Sequence, residues 1–155
     1  MIAAAPRAPS RLVATWLTLL VGSLGLHRLY LHGLGDRWFW LFPGPTLAGA
    51  YGFWRLRELG IDDALGALLV PLLGVMVAGT MLLAIVYGLM PAERWRARFG
   101  GDAAAAATGW ATIGGVIIAL AAGAIVAMAT IAFSAERYFG RLAAETPAAT
   151  RTATG

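Results

Sequence analysis

Residues 22–40 read GSLGLHRLYLHGLGDRWFW, and they place His27, Arg28, His32, Asp36 and Arg37 within eleven positions of a chain otherwise built from Leu, Ala, Val and Gly. A helix carried straight through would set Arg28, His32 and Asp36 on one face by i, i+4 spacing, with His27 and Tyr30 on another. Gly33 and Gly35 argue against such a continuation. In the simpler reading His27 and Arg28 end a helix, the two glycines make the turn, and Asp36 with Arg37 restart the chain, because helices commonly close on glycine with cations in the last turn. In the other reading the turn folds Arg28, His32 and Asp36 into one polar cluster between helices, where ionisable groups are candidates for function.

The surroundings make this a membrane question. The chain has 155 residues, 59% of them hydrophobic and 13% charged, with a mean hydropathy of +0.73, against about a quarter charged in ordinary soluble domains. The basic residues are all Arg, and a net charge of +4 spread along the chain argues against nucleic-acid binding, which needs clustered cations. There is no Cys, which removes disulfides, thiolate chemistry and Cys-based metal sites.

A transmembrane helix needs about 20 largely apolar residues. Residues 64–90 and 107–135 carry no charge and should span, with Pro71 bending the first. Residues 12–26 and 38–54 are shorter, the second interrupted by FPGP, and should form a pair of short spans. An N-terminal signal was weighed, since Arg7 and Arg11 precede an apolar run, but no small-x-small cleavage pattern follows and an uncleaved first helix is expected. The expected fold is thus an all-α integral membrane protein with four transmembrane helices in two hairpins. Its parts are a tail over 1–10, a first hairpin over 11–63, a second helix pair over 64–141 with an interfacial loop near 91–106, and a disordered tail over 142–155. Trp38, Trp40, Trp54, Trp95 and Trp110 fall near the span ends, where amphipathic rings settle. Counting Arg in the loops gives both termini on the inside by a narrow margin.

Catalytic patterns are missing. His27 and His32 are five apart and have no third strong ligand at recognisable spacing, so no metal is expected. Ser23 precedes His27 by four, but GSLG lacks a nucleophile-elbow pattern and no orienting carboxylate is evident. GLGDRW follows no strand, and without Lys neither Walker-type phosphate binding nor Schiff-base chemistry is available. The chain reads as a non-enzyme without a cofactor.

The order GSLGLHRLYLHGLG, an aromatic-rich second apolar segment and then YGFW at 51–54 resembles the TM2 (two-transmembrane-helix) domain family, whose pattern is Gly-x-x-Gly-x-His-Arg-Phe-Tyr-Leu-Gly. Gly22, Gly25, His27, Arg28, Tyr30 and Leu31 match it; Leu29 replaces Phe, and His32 stands where the family has Gly, which Gly33 supplies one residue later. The Asp that commonly follows the family's Gly-x-Trp ending is missing, with Asp62 and Asp63 nearby. The resemblance covers about residues 11–63 and implies an integral membrane hairpin, with no catalytic residues to carry over. The Arg-only, Ala-rich composition looks like that of a bacterial protein, which implies the inner membrane.

The second pair lies outside that resemblance. Gly115, Ala119, Gly123 and Ala127 recur every four residues, and Gly74 and Ala78 share the spacing. Such stripes let helices approach closely in lipid. They point either to contact between the two spans or to self-association. PAERWRARFGG, with Trp95 and Phe99 four apart and Arg94, Arg96 and Arg98 on other faces, is expected as a short interfacial helix against anionic headgroups. The expected function is non-catalytic: helix packing with itself or with another membrane protein in the bilayer, with no small-molecule ligand named. The alternatives are a small transporter or channel using His27, Arg28 and His32, and, further off, an intramembrane enzyme, for which no catalytic set is legible.

Overall fold

The computed structural model describes residues 9–33, 35–104 and 106–152, with side chains through Ala144. Described residues form helices only: α1 (Arg11–Val21), α2 (Leu26–His32), α3 (Pro43–Leu59), α4 (Ala64–Leu89), α5 (Ala92–Phe99) and α6 (Trp110–Thr152), with 3₁₀ turns at Gly22–Leu24 and Arg37–Leu41. Two of them, α4 and α6, are long and apolar enough to cross a membrane, and only 11% of the most apolar stretch of each is buried. A soluble core helix would be mostly covered. Both lie well beyond the N-terminal region, with uncharged Leu, Ile and Val facing outward, which supports a membrane location. At 1.5 Å per residue α4 is about 39 Å long. It continues through Pro71 without a break in the helix.

The path of residues 9–33 is a hairpin and not one straight helix. Glycine decides it. Val21 ends α1, the chain tightens into the 3₁₀ turn, and Gly25 adopts φ 81°, its N–H donating to the Gly22 carbonyl at 2.8 Å while its own carbonyl opens α2 by accepting from Arg28 N–H at 2.8 Å. The chain therefore reverses at Gly25, and His27 and Arg28 begin a helix where the simpler reading had them ending one. A side chain at Gly25 would meet Phe42 Cβ at 3.0 Å and the Phe39 carbonyl at 3.1 Å. Only glycine satisfies both the left-handed backbone and that space.

After the reversal α2 runs back beside α1, and the two ends of this hairpin meet: Ser10 N–H donates to Tyr30 Oη at 2.9 Å. Gly22, near the tip, sits against Thr80, where a Cβ would lie 3.0 Å from the Thr80 Cβ, while Thr15 reaches Gly88 near the end of α4. The hairpin enters beside the C-terminal end of α4, goes about 14 Å along it by helix rise, and returns. Residues 12–26 thus form a short helix and a turn that double back alongside α4.

Asp36 opens the next 3₁₀ turn by accepting from Trp38 N–H at 3.1 Å, and Pro43, its φ already suited to a helix start, begins α3. This helix packs antiparallel to α4 through Gly49 and Gly52; a Cβ on either would lie 2.5 Å from Leu73 or Leu69 Cβ. Gly60, at φ 92°, turns the chain, and Asp63 caps α4 by accepting from Gly66 N–H at 2.7 Å. At the other end of α4 comes α5, then a Gly- and Ala-rich loop, then α6, antiparallel to α4 with Ala119 against Ala84 and Gly123 against Met81.

This order puts Ser10, Gly33, α5 and the start of α6 at one end of the α4–α6 pair, and Gly60, Arg137 and Arg141 at the other. The first described residues therefore lie at the opposite end of that pair from Arg137 and Arg141 of α6. The helix α6 also carries on through Thr152, into the 142–155 stretch read as a disordered tail: extending a nucleated helix through Ala-rich sequence is easy. Residues 1–8 and 153–155 lie outside the described residues.

Candidate functional site

The α1–α2 hairpin gathers most of the buried polar groups. On α1 the inward face is Arg11, Ala14, Thr15, Thr18 and Leu19, a helical stripe with polar groups where an apolar one is usual. Thr15 and Thr18 donate back to the carbonyls of Arg11 and Ala14 at 2.9 and 2.7 Å, and Thr80 does the same to Val77 at 2.9 Å. Their hydroxyls are thereby satisfied without a partner helix. At the tip Thr46 of α3 donates to the Ser23 carbonyl at 2.5 Å, pairing a backbone group that the turn leaves free, as irregular backbone away from water requires.

The sequence-predicted polar residues divide into two sets. Arg28 Nε donates to Asp36 Oδ2 at 2.7 Å, and His32 Nδ1 lies 4.0 Å from the same oxygen. The Arg28 guanidinium, with the Trp38 N–H also bonded, holds the Asp36 carboxyl below its ordinary range. His27 points elsewhere. It is fully buried, packed edge-on to Phe42 at 5.4 Å and near Tyr87 at 6.2 Å, with the Gly22 backbone beside the ring but no hydrogen bond of good geometry at either nitrogen. It makes no bond with Ser23, so the Ser–His pairing weighed from sequence does not form. Among the described residues no three His, Cys, Asp or Glu side chains come together as a metal site.

The expected interfacial helix is present, but its tryptophan is turned inward. Trp95 is fully buried with Ala14 and Ala106, stacks on Phe99 at 4.6 Å and donates from Nε1 to the Pro9 carbonyl at 3.2 Å. It pins α5 to the start of α1 and does not anchor it in headgroups; Arg94, Arg96 and Arg98 are exposed. The small-residue stripe is shared between two partners. Gly115 abuts Thr15 and Trp16 of α1, whereas Gly123 meets Met81, and Gly74 meets Thr130, across the α4–α6 contact. Ala78 and Ala127 line an open groove beside it.

Other paired or buried polar groups carried no recognisable sequence signal. Arg55 makes a two-pronged pair with Asp63, at 2.7 and 2.9 Å. Arg11 and Thr112 are buried with polar atoms unpartnered, although Arg11 had counted as an ordinary loop charge. Asp62 and Asp63 had been noted only as acids near the end of the motif. Comparison of the chain with protein-family models, with curated proteins and with solved structures yields no match.

Proposed function

We propose that this is a non-catalytic, multi-pass membrane protein that works by packing against another transmembrane helix, from a second copy or from a neighbouring membrane protein. The observation that carries the reading is an open apolar groove of about 510 Å³ between α4 and α6, lined by Gly74, Ala78, Gly79, Gly123 and Ala127 among others. Gly79 has no neighbour within 4 Å of where its Cβ would stand. In lipid, where apolar surface alone drives nothing together, small residues that admit a close backbone approach favour association.

In this reading the α1–α2 segment is a re-entrant hairpin and the crossings are the Arg37–Leu59 segment, α4 and α6. Arg11, Arg28, Arg37, Arg94, Arg96 and Arg98 then share one side and Arg55, Arg57, Arg137 and Arg141 the other, so the α5 side is cytoplasmic by the positive-inside rule. The likeness to the TM2 family and the placement in a bacterial inner membrane are parts of the same proposal. Disulfide trapping tests the packing, since the chain has no native Cys. Val75→Cys and Leu82→Cys, both in the groove, should cross-link in oxidised native membranes, and Ile117→Cys outside it should not. Equal or absent cross-linking at all three removes the self-association form.

A second reading, a small transporter or channel, is favoured by one feature: His27, fully buried with no well-formed hydrogen bond at either nitrogen, beside the tip of a re-entrant hairpin. Flux into proteoliposomes that His27→Ala abolishes, without loss of folded protein, would select it.

A further inference from the structure

Among the described residues, no acidic side chain is ion-paired with the cation at the start of α1. Arg11 is 2% exposed. Its Nη1 donates to Thr108 Oγ1 and its Cζ lies 5.9 Å from the centre of the Trp95 ring, while Nε and Nη2 have no hydrogen-bond partner. Thr112, fully buried, also leaves its hydroxyl unpartnered. None of the ion pairs among the described residues includes Arg11.

Two helices begin at this spot. Trp16 Nε1 donates to the Ala111 carbonyl at 3.1 Å, and a Cβ on Gly115 would stand 3.3 Å from Thr15 Cγ2, so α1 and α6 run side by side in the same direction. Arg11 opens α1, and Thr108 to Thr112 form the entry of α6. The two N-terminal ends, with their unpaired N–H groups and partial positive charge, are therefore neighbours.

A guanidinium does not shed its proton, so covering it leaves a charge that favours an anionic partner. The Nε–Nη2 edge is the fork that matches two oxygens of one oxyanion. We propose that an oxyanion of the phosphate class binds between the first turns of α1 and α6, held two-pronged by Nε and Nη2 of Arg11 and by the Thr112 hydroxyl. Helix N-termini receive such groups readily. Thr108, which holds Nη1 of the same guanidinium, is itself exposed. The exposed Arg96 on neighbouring α5 adds to the field that draws anions to this end. The phosphate belongs either to a phospholipid headgroup or to a free ion.

The test is thermal unfolding of the full chain with two probes. In neutral detergent, inorganic phosphate is titrated against chloride at equal ionic strength; in nanodiscs, zwitterionic lipid is compared with the same lipid containing phosphatidylglycerol. A saturable rise in melting temperature with inorganic phosphate identifies the free ion; a rise only with phosphatidylglycerol identifies the headgroup. In either arm Arg11→Gln should abolish the rise and Thr112→Val weaken apparent affinity about tenfold, while Arg96→Gln keeps it. If Arg11→Gln does not fold, Thr112→Val decides. No rise with either probe, or a rise unchanged in the folded variants at Arg11 and Thr112, overturns the proposal.

Discussion

Ser10 and Tyr30, twenty residues apart, are joined by a hydrogen bond from the Ser10 amide to the Tyr30 hydroxyl at 2.9 Å. That bond closes the base of the α1–α2 hairpin and puts its two ends on the same side of the molecule. The chain between them must turn once within the bundle.

Gly25→Ala should destabilise the protein by about 1–3 kcal/mol, through the left-handed backbone cost and the contact with Phe42 and the Phe39 carbonyl. Gly35→Ala, with no neighbour within 4 Å, should be near neutral. Thermal unfolding of the two variants in the same detergent checks the difference; equal stability would mean that the chain does not reverse at Gly25.

Gly49→Ala brings a methyl into the Leu73 backbone and should separate α3 from α4, at a cost of about 1–3 kcal/mol. Gly44→Ala, on the same helix but open, is the control. Denaturant unfolding or proteolysis of the α3–α4 turn reads the effect.

Trp95→Ala should cost about 3–5 kcal/mol, the range for emptying a core aromatic site. Trp110→Ala should cost little, since Trp110 is 88% exposed. If both changes were equally mild, Trp95 would be a headgroup anchor after all.

Asp63 gives a pH prediction. Hydrogen bonds from Arg55, with the Gly66 N–H second, hold its carboxyl down at about 2, against about 3.9 in an unfolded chain. A depressed acid stabilises the fold in full above the unfolded value, and the contribution fades as pH falls towards the folded one. The stability gap between the native chain and Asp63→Asn should be flat above about pH 5, shrink below it and close near 2. A gap independent of pH would show that the pair contributes nothing through charge.

The two long helices were legible because an uncharged run of that length has few other fates. The reversal was not. Gly22, Gly25, Gly33 and Gly35 all sit in the polar stretch, and what selects Gly25 is its contact with Phe39 and Phe42, which no local pattern records. Trp95 was misplaced for a related reason: helical spacing says that Trp95 and Phe99 share a face, but not whether protein or lipid covers it. A cluster of Arg28, His32 and Asp36 is one of two readings that the stretch allows, beside a plain helix end at His27 and Arg28, whereas Arg11 meets Thr108 from 97 positions away, and such a distance leaves no trace in sequence. The groove between α4 and α6 was foreseen only as a stripe of small residues.

The re-entrant hairpin is the claim on which the topology turns, and cysteine accessibility in sealed membranes tests it most directly. Single Cys replacements at Ser10, Gly35, Ile61, Ala103 and Tyr138 would be labelled with a membrane-impermeant maleimide from each side in turn. The account predicts that positions 10, 35 and 103 label from one side and 61 and 138 from the other. Labelling of position 10 together with 61, opposite 35, would mean that the first segment crosses the membrane and would contradict it.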